Sequence, residues 1–126
     1  MRVTLLIGGE PFDCLPFSEE VFKENDAVYA ILSIKGGGRW KVVDITDTSK
    51  VPKEKEEILK QKKYWEDKCQ NRNIWVGAYV MPGDKFNDQD RADFQKLLIE
   101  DMIYKQLLLS YTDDKAYRLF IKNLSF

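Results

Sequence analysis

Two runs of β-branched and aromatic residues, Val28 to Ile34 and Trp40 to Ile45, lie on either side of a glycine triplet, Gly36 to Gly38. Such runs around a turn-forming sequence are typical of a β-hairpin. A third run, Asn73 to Met81, is apolar or aromatic on both of its faces. This pattern predicts a strand at the centre of a sheet, because only a central strand buries both faces.

Two stretches have the spacing of apolar residues that is typical of an amphipathic helix. The first is predicted to begin at Ser49, which can cap it, and its apolar stripe ends at Cys69. The second is predicted to begin at Asn87 or Asp88 and to continue through Leu107. The charged residues of the first helix lie on the side away from its apolar stripe. Because each helix has an apolar stripe to bury, we expect both to pack on the sheet.

The ends of the chain are less regular. Arg2 to Ile7 has the character of a strand, and the segment from Gly8 to Phe17 is predicted to be a loop because it contains two glycines and two prolines. Ser18 can cap one short helical turn, and Ala116 to Leu124 again has the character of a strand. The expected fold is a single α+β domain over residues 1–126, in which flanking helices pack on a small antiparallel sheet of three core strands, with extra strands possible at the termini.

Composition narrows the chemistry that this domain can perform. Apolar residues are 44% of the chain, charged residues are 33%, and the net charge is −1, so no overall field attracts nucleic acid. Histidine is absent, which excludes a histidine base and histidine-ligated zinc. The two cysteines, Cys14 and Cys69, are far apart and are interpreted as reduced thiols. No apolar run is long enough to span a membrane, and no small-residue cleavage site follows the N-terminus, so we expect a cytoplasmic protein.

The order of several short motifs resembles the GIY-YIG nuclease superfamily. These motifs are "VYAI" on the first hairpin strand, "DITDTS" after the second, the pair Trp65 and Cys69 at the end of a helix, an aromatic strand that ends in proline, and "R…IE" in the last helix. The resemblance covers about residues 27–104 and is closest to small bacterial GIY-YIG-like proteins. It implies a domain with its core at residues 27–109.

In that family two strand motifs, a helical arginine and a helical glutamate converge on one surface. The glutamate binds a divalent metal ion, and the arginine and tyrosines assist attack on a phosphodiester. The physical logic is general, because phosphodiester cleavage needs a Lewis acid, a cation for the developing charge and a proton acceptor.

Carried onto this chain, the resemblance is only partial. The first motif falls on Ala27-Val28-Tyr29, where Tyr29 matches, and the metal-binding glutamate falls on Glu100. The second motif falls on Asp44-Ile45-Thr46, where only the middle residue matches, and the arginine position falls on Glu54. Three carboxylates at Asp44, Glu54 and Glu100 would repel a phosphodiester.

These departures favour a catalytically inactive GIY-YIG-like domain that acts by binding, with another protein or a second copy of the chain as its partner. One alternative is a divergent nuclease that uses Tyr29 and Glu100 with Mg²⁺ or Mn²⁺, a lysine next to Glu54 replacing the arginine. The other alternative is a DNA-binding domain without cleavage. No cofactor is expected unless the nuclease alternative holds. The last helix and the apolar C-terminal segment are the predicted interface.

Several other features have two interpretations from the sequence alone. Asp44, Asp47, Glu54 and Glu100 are either a carboxylate metal site or ordinary carboxylates at strand and helix ends. The glycine triplet Gly36 to Gly38 either cradles a phosphate or, as we favour, forms the tip of a hairpin. The segment from Lys60 to Trp65 is either a nucleic-acid contact or, as we favour, a solvated helix face with its tryptophan in the core. Cys69 is expected to pack in the core rather than to react.

Overall fold

The computed structural model describes residues 2–24, 26–35, 39–69 and 71–109, and eight elements follow one another along them. The elements are β1 (Val3–Ile7), β2 (Glu10–Pro16), α1 (Val21–Glu24), β3 (Ala27–Lys35), β4 (Arg39–Asp47), α2 (Lys55–Cys69), β5 (Ile74–Val80) and α3 (Asp88–Leu109). The predicted α+β class is confirmed.

All neighbouring strands are antiparallel and form one five-stranded sheet in the order β1-β2-β5-β3-β4. The apolar run predicted to be a central strand is β5, which pairs with β2 on one side and with β3 on the other. The two predicted hairpin runs are β3 and β4, and they pair directly. Strand β4 therefore lies at one edge of the sheet and β1 at the other.

Helices cover both faces of this sheet. On one face, α2 packs through Ile58 and Trp65 in a cluster that also contains Phe22 of α1 and Ile31 of β3. On the other face, α3 packs through Leu98 in a second cluster. Alternate residues of β3 enter the two clusters, because successive side chains of a strand point to opposite faces. The prediction that both helices pack on the sheet is confirmed, and the helices lie on opposite faces of it.

The loop predicted between Gly8 and Phe17 is wrong. Gly8 and Gly9 have φ values of 60° and 82° and form the two-residue turn between β1 and β2. Two positive φ angles suit the twist of a tight hairpin and favour glycine. The prolines are tolerated because of where they stand. Pro11 precedes the part of β2 that pairs with β5, which starts at Asp13, and Pro16 is the last residue of the strand.

The predicted start of the first long helix at Ser49 is also wrong, since α2 begins at Lys55. Asp47 holds a turn instead. Its Oδ1 accepts hydrogen bonds from the amide, at 2.9 Å, and from the hydroxyl of Ser49, and its carbonyl accepts from Lys50 N at 3.0 Å. Pro52 then disfavours helical geometry at the residue before it. The helix begins only after both constraints.

The predicted N-terminus of α3 is confirmed. Asn87 Oδ1 accepts a hydrogen bond from Asp90 N at 2.8 Å, and Asp90 Oδ2 accepts one from Asn87 N at 3.0 Å. This reciprocal pair satisfies two amides that the start of a helix leaves free. The apolar C-terminal segment, Ala116 to Leu124, lies outside the described residues. Within the described ranges, no helix is both long and apolar enough to cross a membrane.

Candidate functional site

Tyr29 lies in the interior of the domain. Its side chain is 1% exposed and belongs to the cluster between the sheet and α2. Phe22 meets its ring edge-to-face, with the two ring centroids 5.0 Å apart. On the neighbouring strands, Tyr29 pairs with Thr46 of β4 and with Ala78 of β5. The aromatic ring is thus part of the core, as is typical of a strand tyrosine near the sheet centre.

Asp44 joins the edge strand to helix α2. Its Oδ2 accepts a hydrogen bond from the indole Nε1–H of Trp65 at 2.9 Å, and its Oδ1 accepts one from the amide of Ile45 at 2.9 Å. Both oxygens of the carboxylate are therefore engaged within the domain.

A β-bulge in β4 brings Asp44 to this position. Ile31 pairs with Asp44 and Leu32 pairs with Val42, so Val43 is an extra residue in β4. A bulge of this kind changes the alternation of side chains along the strand. Val43 and Asp44 consequently both face α2, whereas Val42 and Ile45 both pack on the α3 side. A carboxylate suits the strand here because it accepts from an otherwise buried indole.

Of the other positions carried over from the resemblance, Glu54 and Glu100 are exposed and are not grouped with Asp44. Glu54 is exposed just before α2, and its backbone carbonyl accepts a hydrogen bond from Ile58 N at 2.9 Å. Glu100 is exposed on α3, which packs on the opposite face of the sheet from α2. Thr46 is half-buried in β4, directly opposite Tyr29. Across the two strands that carry the motif positions, Tyr29 and Thr46 are direct partners.

The lysines next to Glu54 were the predicted substitutes for the family arginine. The ammonium of Lys53 donates a hydrogen bond to the carbonyl of Phe22 at 3.3 Å, which ties the segment before α2 to α1. Lys55, the first residue of α2, is exposed. Among residues 2–24, 26–35, 39–69 and 71–109, no group of three or more His, Cys, Asp and Glu side chains is placed to hold a metal ion.

Asp47 belongs to a separate, buried network at the end of β4. Its side chain is 1% exposed, and Lys50 Nζ lies 3.7 Å from its Oδ2. Lys50 also donates to Gln95 Oε1 of α3 at 3.0 Å. Lys50 thereby connects the turn after β4 to helix α3. Its ammonium also lies close enough to offset part of the cost of burying the charge of Asp47.

The feature that sequence reasoning missed is a groove of about 350 Å³ along the outer edge of β4. We call it the β4 groove, and its lining comprises Lys41, Val42, Val43, Asp44, Ile45, Lys68, Cys69, Ile99 and Met102. Apolar side chains from β4 and α3 form most of the lining. Lys41 and Lys68 add positive charge from the edge strand and from the end of α2.

Part of the main chain at this edge is already bonded to side chains. Gln95 Nε2 donates to the carbonyl of Ile45 at 2.9 Å, and Asp44 accepts from the amide of the same residue. The exposed polar groups of an edge strand are otherwise free to pair with another strand. The one sequence signal for this arrangement is Gln95, a polar residue within the apolar stripe of α3. Its partner on β4 depends on a bulge that no sequence pattern announces.

Compared with known proteins, the chain matches no protein-family model, and neither a curated protein nor a solved structure gives a match.

Proposed function

We propose that this chain is a catalytically inactive GIY-YIG-like domain of the cytoplasm that acts by binding another protein. The observation that carries the proposal concerns the two strand positions where the chemistry of that family would take place. One holds Tyr29, whose ring is 1% exposed. The other holds Asp44, whose two carboxylate oxygens accept hydrogen bonds from Ile45 and Trp65. Both side chains stabilise the fold.

Electrostatics supports the same proposal. The position of the family arginine carries Glu54, and the net charge of the chain is −1. A phosphodiester in its transition state gains negative charge, which needs a nearby cation rather than a carboxylate. Nucleic-acid affinity also depends mainly on cations that neutralise phosphates. Both nucleic-acid alternatives lack that support.

The β4 groove offers a surface of the kind that a protein partner uses. It combines apolar side chains, two lysines and an edge strand at one place. Edge strands and apolar grooves are common sites for the recognition of extended peptides. Binding of a protein is therefore the function that the described surface favours most.

An affinity pull-down of the full chain from native cells tests the proposal. The lysate is divided, and nucleic acid is digested in one half before capture. We expect the same protein to be retained in both halves and to bind the purified chain directly. A partner that is lost after digestion would support the DNA-binding alternative and contradict the proposal. Sedimentation of the purified chain, alone and with the captured protein, distinguishes a second copy from another protein.

A further inference from the structure

We infer that the β4 groove binds an extended peptide segment of the partner, in which acidic residues flank apolar ones, and that this segment pairs with β4 over Trp40 to Val43. The inference rests on the proposed protein-binding function and specifies its site. It is argued from the direction of the main chain in β4, from the positive charges beside this edge, and from the side-chain hydrogen bonds to the main chain of Ile45.

The direction of the main chain in β4 defines where pairing can occur. The amide and carbonyl of Ile45 bond to Asp44 and Gln95 rather than to β3, so they point out of the sheet. Side-chain face and main-chain direction alternate together along a strand. Ala30 and Leu32 lie two residues apart on β3 and therefore have the same main-chain direction. Ala30 pairs with Ile45 and Leu32 pairs with Val42, so the amide and carbonyl of Val42 point outward as well.

The side-chain hydrogen bonds to the main chain of Ile45 limit where another strand can pair with β4. The carboxylate of Asp44 accepts from the amide of Ile45, and the side-chain amide of Gln95 donates to its carbonyl, so both groups are already engaged at this residue. We therefore place the incoming strand on the N-terminal side of the bulge, from Val43 toward Trp40. Side-chain capping of this kind also restrains unspecific pairing of the edge.

The charges beside this edge favour an acidic partner over a second copy of the chain. Lys41 lies on β4 itself, and Lys68 lies at the end of α2, both in the lining of the groove. The one carboxylate in the lining, Asp44, is engaged by hydrogen bonds on both oxygens. Pairing of β4 with β4 of another copy would bring lysines of both chains together, which costs free energy. Acidic residues on an incoming peptide would instead find complementary charge.

The apolar part of the lining explains why the segment must also carry apolar residues. Ile99 and Met102 of α3 and Cys69 of α2 line the groove on either side of the edge strand. A peptide strand points alternate side chains to opposite faces. One set of its side chains would contact the α3 side and the other set the α2 side.

The test is a selection of peptides from a phage-displayed library of random twelve-residue sequences on the immobilised full chain. We expect enriched peptides to contain Asp or Glu beside Val, Ile or Phe. Their affinity for the Lys41→Glu/Lys68→Glu double variant should fall by about tenfold or more, and binding should weaken as salt is raised. In amide NMR spectra of the full chain, the signals of Val42 and Val43 should shift on addition of a selected peptide.

The matched control is Lys63→Glu/Lys85→Glu, which reverses two exposed lysines away from the groove. It should leave peptide affinity unchanged. Selected peptides without acidic residues, equal affinity for the two double variants, or no enrichment at all would each overturn the inference. A protein captured equally by the wild type and by Lys41→Glu/Lys68→Glu would leave the proposed function standing and reject only this site.

Discussion

The side chain of Asp44 connects the edge strand β4 to helix α2 through its hydrogen bond with Trp65. Replacement by alanine removes the acceptor of the Trp65 indole N–H and of the Ile45 amide. Because a buried donor without a partner loses its hydration uncompensated, we expect Asp44→Ala to lower the free energy of unfolding by about 1–3 kcal/mol. Urea denaturation followed by tryptophan fluorescence measures this change.

A double-mutant cycle with Trp65→Phe separates the contribution of the Asp44–Trp65 hydrogen bond from that of the Asp44–Ile45 hydrogen bond. Phenylalanine retains an apolar ring and removes only the indole donor. If the bond contributes as described, the two substitutions will be non-additive by about 0.5–3 kcal/mol. Full additivity would mean that Asp44 acts on stability only through Ile45.

The two thiols are expected to differ in reactivity. Burial raises the pKa of Cys14 from its ordinary value of 9.0 to about 12, so its thiolate is scarce at neutral pH. Cys69 is 8% exposed and lines the β4 groove. At pH 8 a thiol reagent should therefore label Cys69 first in the native protein and Cys14 only on unfolding. Peptide mass mapping of the labelled chain, with Cys69→Ser as control, identifies the site.

The raised pKa of Cys14 also predicts a pH dependence of stability. Its thiol is neutral in the folded protein up to about pH 12, whereas the unfolded chain ionises from about pH 9. The contribution of the buried neutral thiol to the free energy of unfolding is thus complete below pH 9 and is lost as the pH rises toward 12. The free energies of unfolding of the wild type and of Cys14→Ala, measured by urea denaturation, should therefore converge over this range. A difference that stays constant with pH would contradict the raised pKa of Cys14.

At the scale of elements, the contact between β5 and β2 depends on a glycine in the middle of the sheet. A Cβ on Gly77 would lie 2.8 Å from Cys14 Sγ and 3.3 Å from Phe12 Cβ, and both of these side chains are buried. We expect Gly77→Ala to destabilise the domain by about 1–3 kcal/mol, as is typical of overpacking.

A glycine in an exposed turn is the matched control for Gly77. A Cβ on Gly83 would meet only the carboxylate end of Asp26, at 3.2 Å, which can move aside. Gly83→Ala should therefore change the free energy of unfolding far less. Thermal denaturation of both variants measures the difference, and equal effects would show that crowding between β5 and β2 is not the cause.

Strands and helices differ in how far the sequence alone predicted them. The hairpin of β3 and β4 and the central strand β5 follow from runs of β-branched and aromatic residues, and the cap at Asn87 follows from a local side-chain preference. Strand β2 escaped prediction because Pro11 and the two turn glycines resemble a loop unless the pairing partners are known. The start of α2 escaped it because the turn at Asp47 competes with helix formation.

The site was less predictable than the fold for a related reason. Asp44 was singled out by the sequence, but its role depends on an extra residue in β4 and on an indole from a distant helix. Likewise, the β4 groove combines three elements that are separated along the chain. Contacts of this kind arise from tertiary packing, which periodicity does not encode.

At the scale of the whole molecule, the placement of helices on both faces decides which surfaces remain for function. Helix α2 and α1 cover one face over β3, and α3 covers the other. The edge at β4 lies between α2 and α3 and is accompanied by lysines and apolar side chains. The exposed carboxylates Glu54 and Glu100 belong to the segment before α2 and to α3, and these two helices lie on opposite faces of the sheet.

This arrangement leads to an expectation about nuclease activity. With Mg²⁺ or Mn²⁺, the purified chain should not cleave plasmid or single-stranded DNA, since the resemblance aligns Glu54 with the arginine of the GIY-YIG nucleases and Tyr29 is buried. Without a cation for the developing charge, the transition state lacks several kcal/mol of stabilisation. Gel electrophoresis after long incubation, with Glu100→Ala and, as its control, Glu56→Ala at another exposed helix position, provides the measurement. Metal-dependent nicking that is lost in Glu100→Ala but retained in Glu56→Ala would contradict the binding proposal and establish the nuclease alternative.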